Sequence, residues 1–199
     1  MAASFKTVIE VDPAHRTQAE ALAHAFQEAI APATVNYDFE HIRAAAAALP
    51  DATIVRMVRG WGLQEQAPVL VMVLSLKEAV RQALPPEAAE AGFWGTVERE
   101  LVAAFTGLAE QEAAPGGAPG LSYYEEGADR TRYYRDLFFA LQDPETGAYL
   151  HAIAFCVDVT VHRDKAGVGA LAMTDIVPFA LRLNAIVVRQ ELAASPVTA

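Results

Sequence analysis

Apolar positions change rhythm about half-way along this chain. In the first half they recur three and four residues apart; in the second they alternate or run on without a break. Phe5-Lys6-Thr7-Val8-Ile9-Glu10-Val11 reads as a short strand. Asp12-Pro13 opens a helix, with Thr17 and Glu20 spaced as a capping box one turn on. Leu22, Ala25, Phe26, Ala29 and Ile30 then form one apolar stripe at helical spacing, which Pro32 stops. A second, Ala-rich helix is predicted over about 38–49, ending at Pro50. Residues 54–63 and 69–74 read as strands, through Ile54, Val55, Val58 and Trp61 in the first and Val69, Val71 and Val73 in the second. Ser75 and Glu78 form another capping box, opening a short helix to Leu84 that Pro85-Pro86 breaks. A longer helix, about 87–112, is expected to bury Trp94, Leu101, Ala104, Phe105 and Leu108. Residues 114–120, rich in Gly and Pro, predict a mobile connection.

Everything after that connection reads as β: about 122–126, 131–141, 148–162, 169–174 and 179–189. A turn at Asp143-Pro144-Glu145-Thr146-Gly147 joins two of these strands. Pro144 presets its first angle, and Gly147 is free to take positive φ. The strand after it exceeds the usual ~5–6 residues, and it is largely apolar on both faces. Helices first and strands afterwards indicate an α+β fold, an antiparallel sheet with helices packed on it. We read one domain, with a helix-rich half over about 12–113 and a β-rich half over about 122–190.

Composition narrows the function more than the fold. The 199 residues are 53% hydrophobic, enough for one substantial core. A net charge of −10 argues against nucleic-acid binding, which needs a basic face. The same charge repels anionic bilayers and tolerates zwitterionic ones. Cys156 is the single cysteine, so no internal disulfide forms. The N-terminal stretch lacks a basic start followed by an apolar core, and no apolar run approaches ~18 residues. The expectation is a protein made soluble in the cytoplasm, without a signal peptide or a transmembrane helix.

Candidate chemistry is sparse. Gly167-Val168-Gly169-Ala170-Leu171-Ala172 has dinucleotide-loop spacing, but the helix such a site needs is not expected after it; a hairpin turn is the simpler reading. The five histidines show no metal spacing. Four serines, none in G-x-S-x-G, leave no hydrolase elbow. No nucleophile, base and oxyanion site assemble, so no enzyme and no cofactor are expected. Cys156 lies mid-strand on the face of Leu150, Ala152, Ala154 and Asp158. It is a small buried hydrophobe or a site of acylation. Asp158, a carboxylate in an apolar strand, is a sheet-end position or a pH-sensitive latch. Arg130, Arg132 and Arg135 mix with Tyr123, Tyr124, Tyr133 and Tyr134 at the start of the β half. That mixture is either a solvated sheet rim or a lipid-headgroup contact through Arg132, Tyr133 and Arg135.

Three dispersed motifs carry a resemblance. Phe139, Gln142, Thr146, Gly147, Ala148 and Tyr149 are followed by Asp158, Val159, Thr160 and Val161. Upstream lie Leu22-Ala23-His24-Ala25-Phe26-Gln27-Glu28-Ala29-Ile30 with Pro32, then Asn36-Tyr37-Asp38-Phe39. Between them are Phe93-Trp94 and Ala104-Phe105-Thr106-Gly107-Leu108. In this order and spacing they resemble the Cyt cytolysins, the cytolytic delta-endotoxins. Beside the family's protoxins, the chain looks like the processed core. The resemblance implies a three-layer α/β/α domain: a mostly antiparallel sheet of long strands flanked by helical layers. It also implies a membrane-active toxin that acts outside the producing cell. The helices peel away and the strands enter lipid after self-association on the membrane. Phe138, Phe139, Tyr149, Ile153, Phe155, Val157 and Val159 are then the candidate membrane contacts. A strand apolar on both faces departs from a water-filled barrel, which wants one polar face, and admits carpet-like disruption. The competing reading is a non-lytic lipid- or acyl-binding protein of the same fold, with Cys156 as its site.

Overall fold

Three long strands make the centre of the molecule: β4 (Thr131–Gln142), β5 (Tyr149–Val161) and β6 (Ile176–Glu191). They belong to a computed structural model that describes residues 5–29, 38–83, 91–143 and 146–192. β4 and β5 pair antiparallel from Thr131↔Val161 to Gln142↔Leu150. β5 and β6 pair antiparallel from Tyr149↔Glu191 to Val161↔Phe179. β2 (Ala52–Pro68) lies antiparallel along the far side of β6 and ends the sheet there. Two short strands share the other edge of β4 end to end. β3 (Leu121–Glu126) runs antiparallel to residues 131–135, and β1 (Lys6–Glu10) runs parallel to residues 137–141. Gly120 sits at their seam with φ +75°. A Cβ there would stand 2.3 Å from the Asp136 carbonyl oxygen and 2.9 Å from the Lys6 nitrogen, so only glycine fits.

Period-two alternation sorts the strand residues onto two cores. One face carries Tyr133, Leu137, Phe139, Ile153, Phe155, Val157, Val159 and Val187. It is covered by α3 (Val69–Ala83), α4 (Ala91–Phe105) and α5 (Leu108–Ala113) through Met72, Leu76, Leu101, Phe105 and Leu108. The opposite face carries Phe138, Ala140, Leu150, Ala152, Ala154, Ile186 and Val188. It is covered by α1 (Arg16–Glu28) and α2 (Phe39–Ala48) through Leu22, Phe26 and Ile42. This is the expected α+β arrangement, helical layers on both sides of a mostly antiparallel sheet.

The structure corrects several local readings. Residues 69–74 are the start of α3, not a strand. Their β-branched composition favours a strand, but Val69, Met72, Val73, Leu76 and Val80 are buried at helical spacing, and burial wins. The first amides of α3 are satisfied by the loop before β6: Val69 N donates to Asp175 O at 3.0 Å and Leu70 N to Met173 O at 3.0 Å. The supposed capping box at Ser75 lies inside α3. Thr17 and Glu20 do not cap α1 either; a 3-10 turn, Pro13–His15, leads straight into it, and Glu20 pairs with Arg16. Asp38 does cap α2, accepting from the amides of Glu40 and His41. The helix expected over 87–112 divides into α4 and α5 because Gly107 adopts φ 61°. Residues 169–174 are not a strand. Lys165–Gly169 forms the short α6, capped by Asp164 Oδ1, which accepts from Gly167 N at 2.8 Å. Gly147 has the expected positive φ, 62°. Ile30, Pro32, Asn36-Tyr37, Pro85-Pro86, the Trp94 side chain and Pro144 lie outside the described residues.

Candidate functional site

The seven candidate membrane contacts are sealed inside the molecule, with one exception. Phe139, Ile153, Phe155, Val157 and Val159 belong to the core under α3, α4 and α5; Phe138 belongs to the core under α1 and α2. Phe139 stacks on Phe155 with ring centroids 5.6 Å apart, and Phe138 meets Phe26 at 5.8 Å. Tyr149 alone is partly exposed, with the Arg189 guanidinium over its ring at 4.7 Å. Among the described residues no helix is long and apolar enough to cross a bilayer.

The three candidate headgroup contacts do not form one site. Period two sends Arg132 to one face and Tyr133 and Arg135 to the other. Tyr133 and Arg135 are fully buried, so neither touches solvent in this fold. Arg132 instead stands in an open groove of about 370 Å³ that also holds Glu125, Arg130, Asp158, Thr160 and Arg182. The groove lies on the α1/α2 face of the sheet, toward the Thr131 end of β4. Arg132 grips Asp158 with two bonds, Nε to Oδ1 at 2.9 Å and Nη2 to Oδ2 at 2.7 Å. Its guanidinium also lies over the rings of Tyr124 and Tyr134, at 5.2 and 5.7 Å. The bond to Asp158 raises the arginine's pKa still further, so its charge is permanent. Burial, helped by the Asp158 charge, pushes the Tyr134 hydroxyl up to about 12, so it stays protonated. Arg130 pairs with Glu125. Arg182 lies directly across the ladder from Asp158, exposed. The groove therefore offers guanidinium groups, two carboxylates and an exposed aromatic ring, Tyr124, together.

On the far side of β4, Arg135 is anchored beneath the α4–α5 junction. Its Nη2 donates to Gln111 Oε1 at 3.3 Å, and Gln111 Nε2 donates to the carbonyls of Ala103 and Thr106. Arg135 Nε and Nη1 have no partner among the described residues, and burial pulls its pKa down. The next residue, Asp136, is buried on the α1/α2 face opposite Cys156. Burial pushes the Asp136 carboxyl up to about 6; the Cys156 thiol opposes the rise, although no hydrogen bond of full geometry reaches either oxygen. Cys156 is 2% exposed and in no disulfide, packed with Ala154, Ala152 and Ile186. A small buried hydrophobe describes it, and an acyl chain has no room there in this fold.

A family profile described as Bacillus thuringiensis toxin matches residues 1–198. The chain belongs to the cytolytic delta-endotoxin family. The type-2Aa cytolytic delta-endotoxin of Bacillus thuringiensis subsp. kyushuensis is 29% identical to it over 194 residues, covering 96% of this chain and 73% of that protein. The type-2Ba toxin of subsp. israelensis is 26% identical over 189 residues, covering 95% and 70%. A solved delta-endotoxin superposes with a TM-score of 0.89 at 29% identity, covering 97% of this chain and 83% of that one. The activated Cyt2Ba monomer from subsp. israelensis superposes at 0.87 and 25% identity, covering 96% and 100%.

Against this cytolysin fold, sequence reasoning missed Asp136 and Arg182. Asp136 carried the same signal as Asp158, a carboxylate in an apolar strand, and adjoins Arg135. Arg182 gave no local signal, because only the β5/β6 register brings it to Asp158.

Proposed function

We propose that the chain is a membrane-active cytolytic toxin that attacks zwitterionic bilayers with its central strands. One observation carries this reading. β4, β5 and β6 have 12, 13 and 16 residues and lie hidden between two helical layers. Tilted strands need only about 9–11 residues to cross the hydrocarbon. Spanning structure must pair its backbone groups internally, and a ladder of antiparallel strands does so. Phe138, Phe139, Ile153, Phe155, Val157 and Val159 meet lipid once a helical layer lifts; Tyr149 sits at the strand end, where an amphipathic ring suits the headgroup level. A strand such as β5, largely apolar on both faces, suits insertion as an assembly whose second face is covered by protein or lipid, rather than a wide aqueous barrel.

The groove around Arg132 is the headgroup contact in this proposal. Its guanidinium groups suit a phosphodiester; Tyr124 and the carboxylates suit a quaternary ammonium. The net charge of −10 acts in the same direction, since it disfavours anionic surfaces. Tyr133 and Arg135 reach lipid only after α4 and α5 separate from the sheet. Asp158 acts as a latch through Arg132, since it ties β4 to β5 at the groove.

Dye release from phosphatidylcholine vesicles, with and without trace protease, tests the proposal. Release is expected. Arg182→Ala should weaken vesicle flotation several-fold while the fold stays intact, because this guanidinium is exposed and free of the Arg132–Asp158 pair. Flotation without any release would favour a non-lytic lipid-binding protein.

A further inference from the structure

β2 ends the sheet, and among the described residues no strand pairs with its outer edge. At 17 residues it is the longest strand among the described residues. A long open edge is a template for another strand, and soluble proteins blunt such edges with charge and bulges. β2 has both, yet they are arranged in halves. Arg56 and Arg59 occupy one half, and Glu65 with Gln64 and Gln66 the other. Arg59 is tied down by Glu40 of α2, whereas Arg56 and Glu65 enter none of the ion pairs among the described residues. Val55 and Met57 are exposed on the same edge strand, Met57 at 53%.

The bulge between Val58 and Trp61 decides what this edge can accept. In a regular strand, residues an odd number apart face opposite ways. Here Gly60 takes φ 68°, its N–H donates to Asn184 Oδ1 at 2.9 Å, and the alternation slips by one. Arg56 pairs across the sheet with Val187, and Glu65 with Phe179. Both partners belong to the core under α3 and α4, so Arg56 and Glu65 point to one face.

We infer that β2 is the self-association edge, and that its occupant is the β2 of a second copy, antiparallel about a two-fold axis at Gly60–Trp61. This register sets Arg56 opposite Glu65 twice, Val58 opposite Leu63, and Met57 opposite Gln64. Opposed residues share a face throughout these pairs, which the bulge alone makes possible. A parallel pairing in register would set Arg56 beside Arg56 and is disfavoured. The product is one continuous sheet, two six-stranded halves joined at β2. The pairing rests on the membrane-active reading only for the surface on which the copies meet.

The test uses an equimolar mixture of Met57→Cys and Gln64→Cys proteins on phosphatidylcholine vesicles, oxidised after flotation; Cys156 is buried and stays in place. A disulfide-linked dimer is expected from the mixture. Either variant alone should give background only, because positions 57 and 57 would lie about 23 Å apart at ~3.3 Å per residue. Arg56→Glu added to both proteins should lower the yield several-fold, and adding Glu65→Arg as well should restore it. Floated protein without the mixed disulfide, or equal yields from single variants and mixture, overturns the pairing. Protein that does not float overturns the membrane reading instead. The same mixture is then oxidised at high protein concentration without vesicles, where absence of the mixed disulfide overturns the pairing by itself.

Discussion

Asp136 makes the stability of this fold depend on pH in an unusual direction. A carboxyl is ordinarily half-ionised near pH 4; burial opposite Cys156 raises this one to about 6 in the folded chain. Below pH 4 it is protonated in folded and unfolded chains alike, and its contribution to stability is complete. As pH rises through 6 the folded state must accept a buried charge, and about 3 kcal/mol is lost by neutral pH. Asp136→Asn, nearly isosteric and always neutral, should therefore raise the melting temperature at pH 8 and leave it almost unchanged at pH 4. Thermal melts at the two pH values check this; equal shifts at both would point to packing instead of ionisation. Phe26 tests the opposite kind of contribution. It is fully buried, touches Phe138, and has no polar atom to compensate. Phe26→Ala should cost about 3–5 kcal/mol in denaturant melts, the transfer term plus the cavity left between α1 and the sheet. A loss under about 1 kcal/mol would mean that the site collapses around the missing ring.

Among the elements, the connection from α5 to β3 leads from the segment that carries α1 to α5 into the run of strands β3 to β6. It is not uniformly loose. Ala113, Ala114, Pro115 and Gly116 are exposed, whereas Ala118 and Gly120 are buried against the sheet. Limited proteolysis should first cut within 113–116 and spare 118–120. An initial cut inside β4 or β5 would contradict the burial of those strands. Gly120→Ala should break the seam between β1 and β3, because its Cβ would meet two backbone atoms and its φ is positive. Loss of cooperative unfolding in denaturant reads that outcome. The helices also show where local reading falls short. α2 was legible from Asp38 and the alanines after it, and Asp38 caps it as that pattern asks. Only the second half of α3, expected from Ser75 to Leu84, was legible; its start was not, because Val69, Val71 and Val73 favour a strand locally, and the burial of Met72 and Leu76 against the sheet favours a helix. α6 escaped notice because it is one turn long; Asp164, its cap, was the available signal.

For the whole molecule, toxicity through strands requires that a helical layer leave the sheet. Gln18 of α1 donates to Gln190 Oε1 of β6 at 3.0 Å, so these two positions are neighbours across that joint. Cysteines at 18 and 190, bridged by a cleavable bifunctional maleimide, should abolish dye release from phosphatidylcholine vesicles, and cleavage should restore it. Undiminished release by the bridged protein would exclude separation of α1 from the sheet as a step in lysis.

What the sequence by itself determined is what depends on neighbours along the chain. The helix that Asp38 caps, the long strands β4, β5 and β6, the charge of −10, and the spaced motifs from Leu22 to Val161 were legible there. Period two even separates Arg132 from Arg135, since they stand three residues apart on one strand. What it could not say is which face is open. Arg135 is buried because α4 and α5 cover one side of β4, and Arg132 stands in a groove because α1 and α2 stop short of the Thr131 end on the other. Those outcomes depend on contacts between segments far apart in sequence, as does the bulge at Gly60 that turns Arg56 and Glu65 to one face. Only the tertiary structure decides them, because burial, and with it charge state and accessibility, belongs to a residue's surroundings and not to its place in the chain.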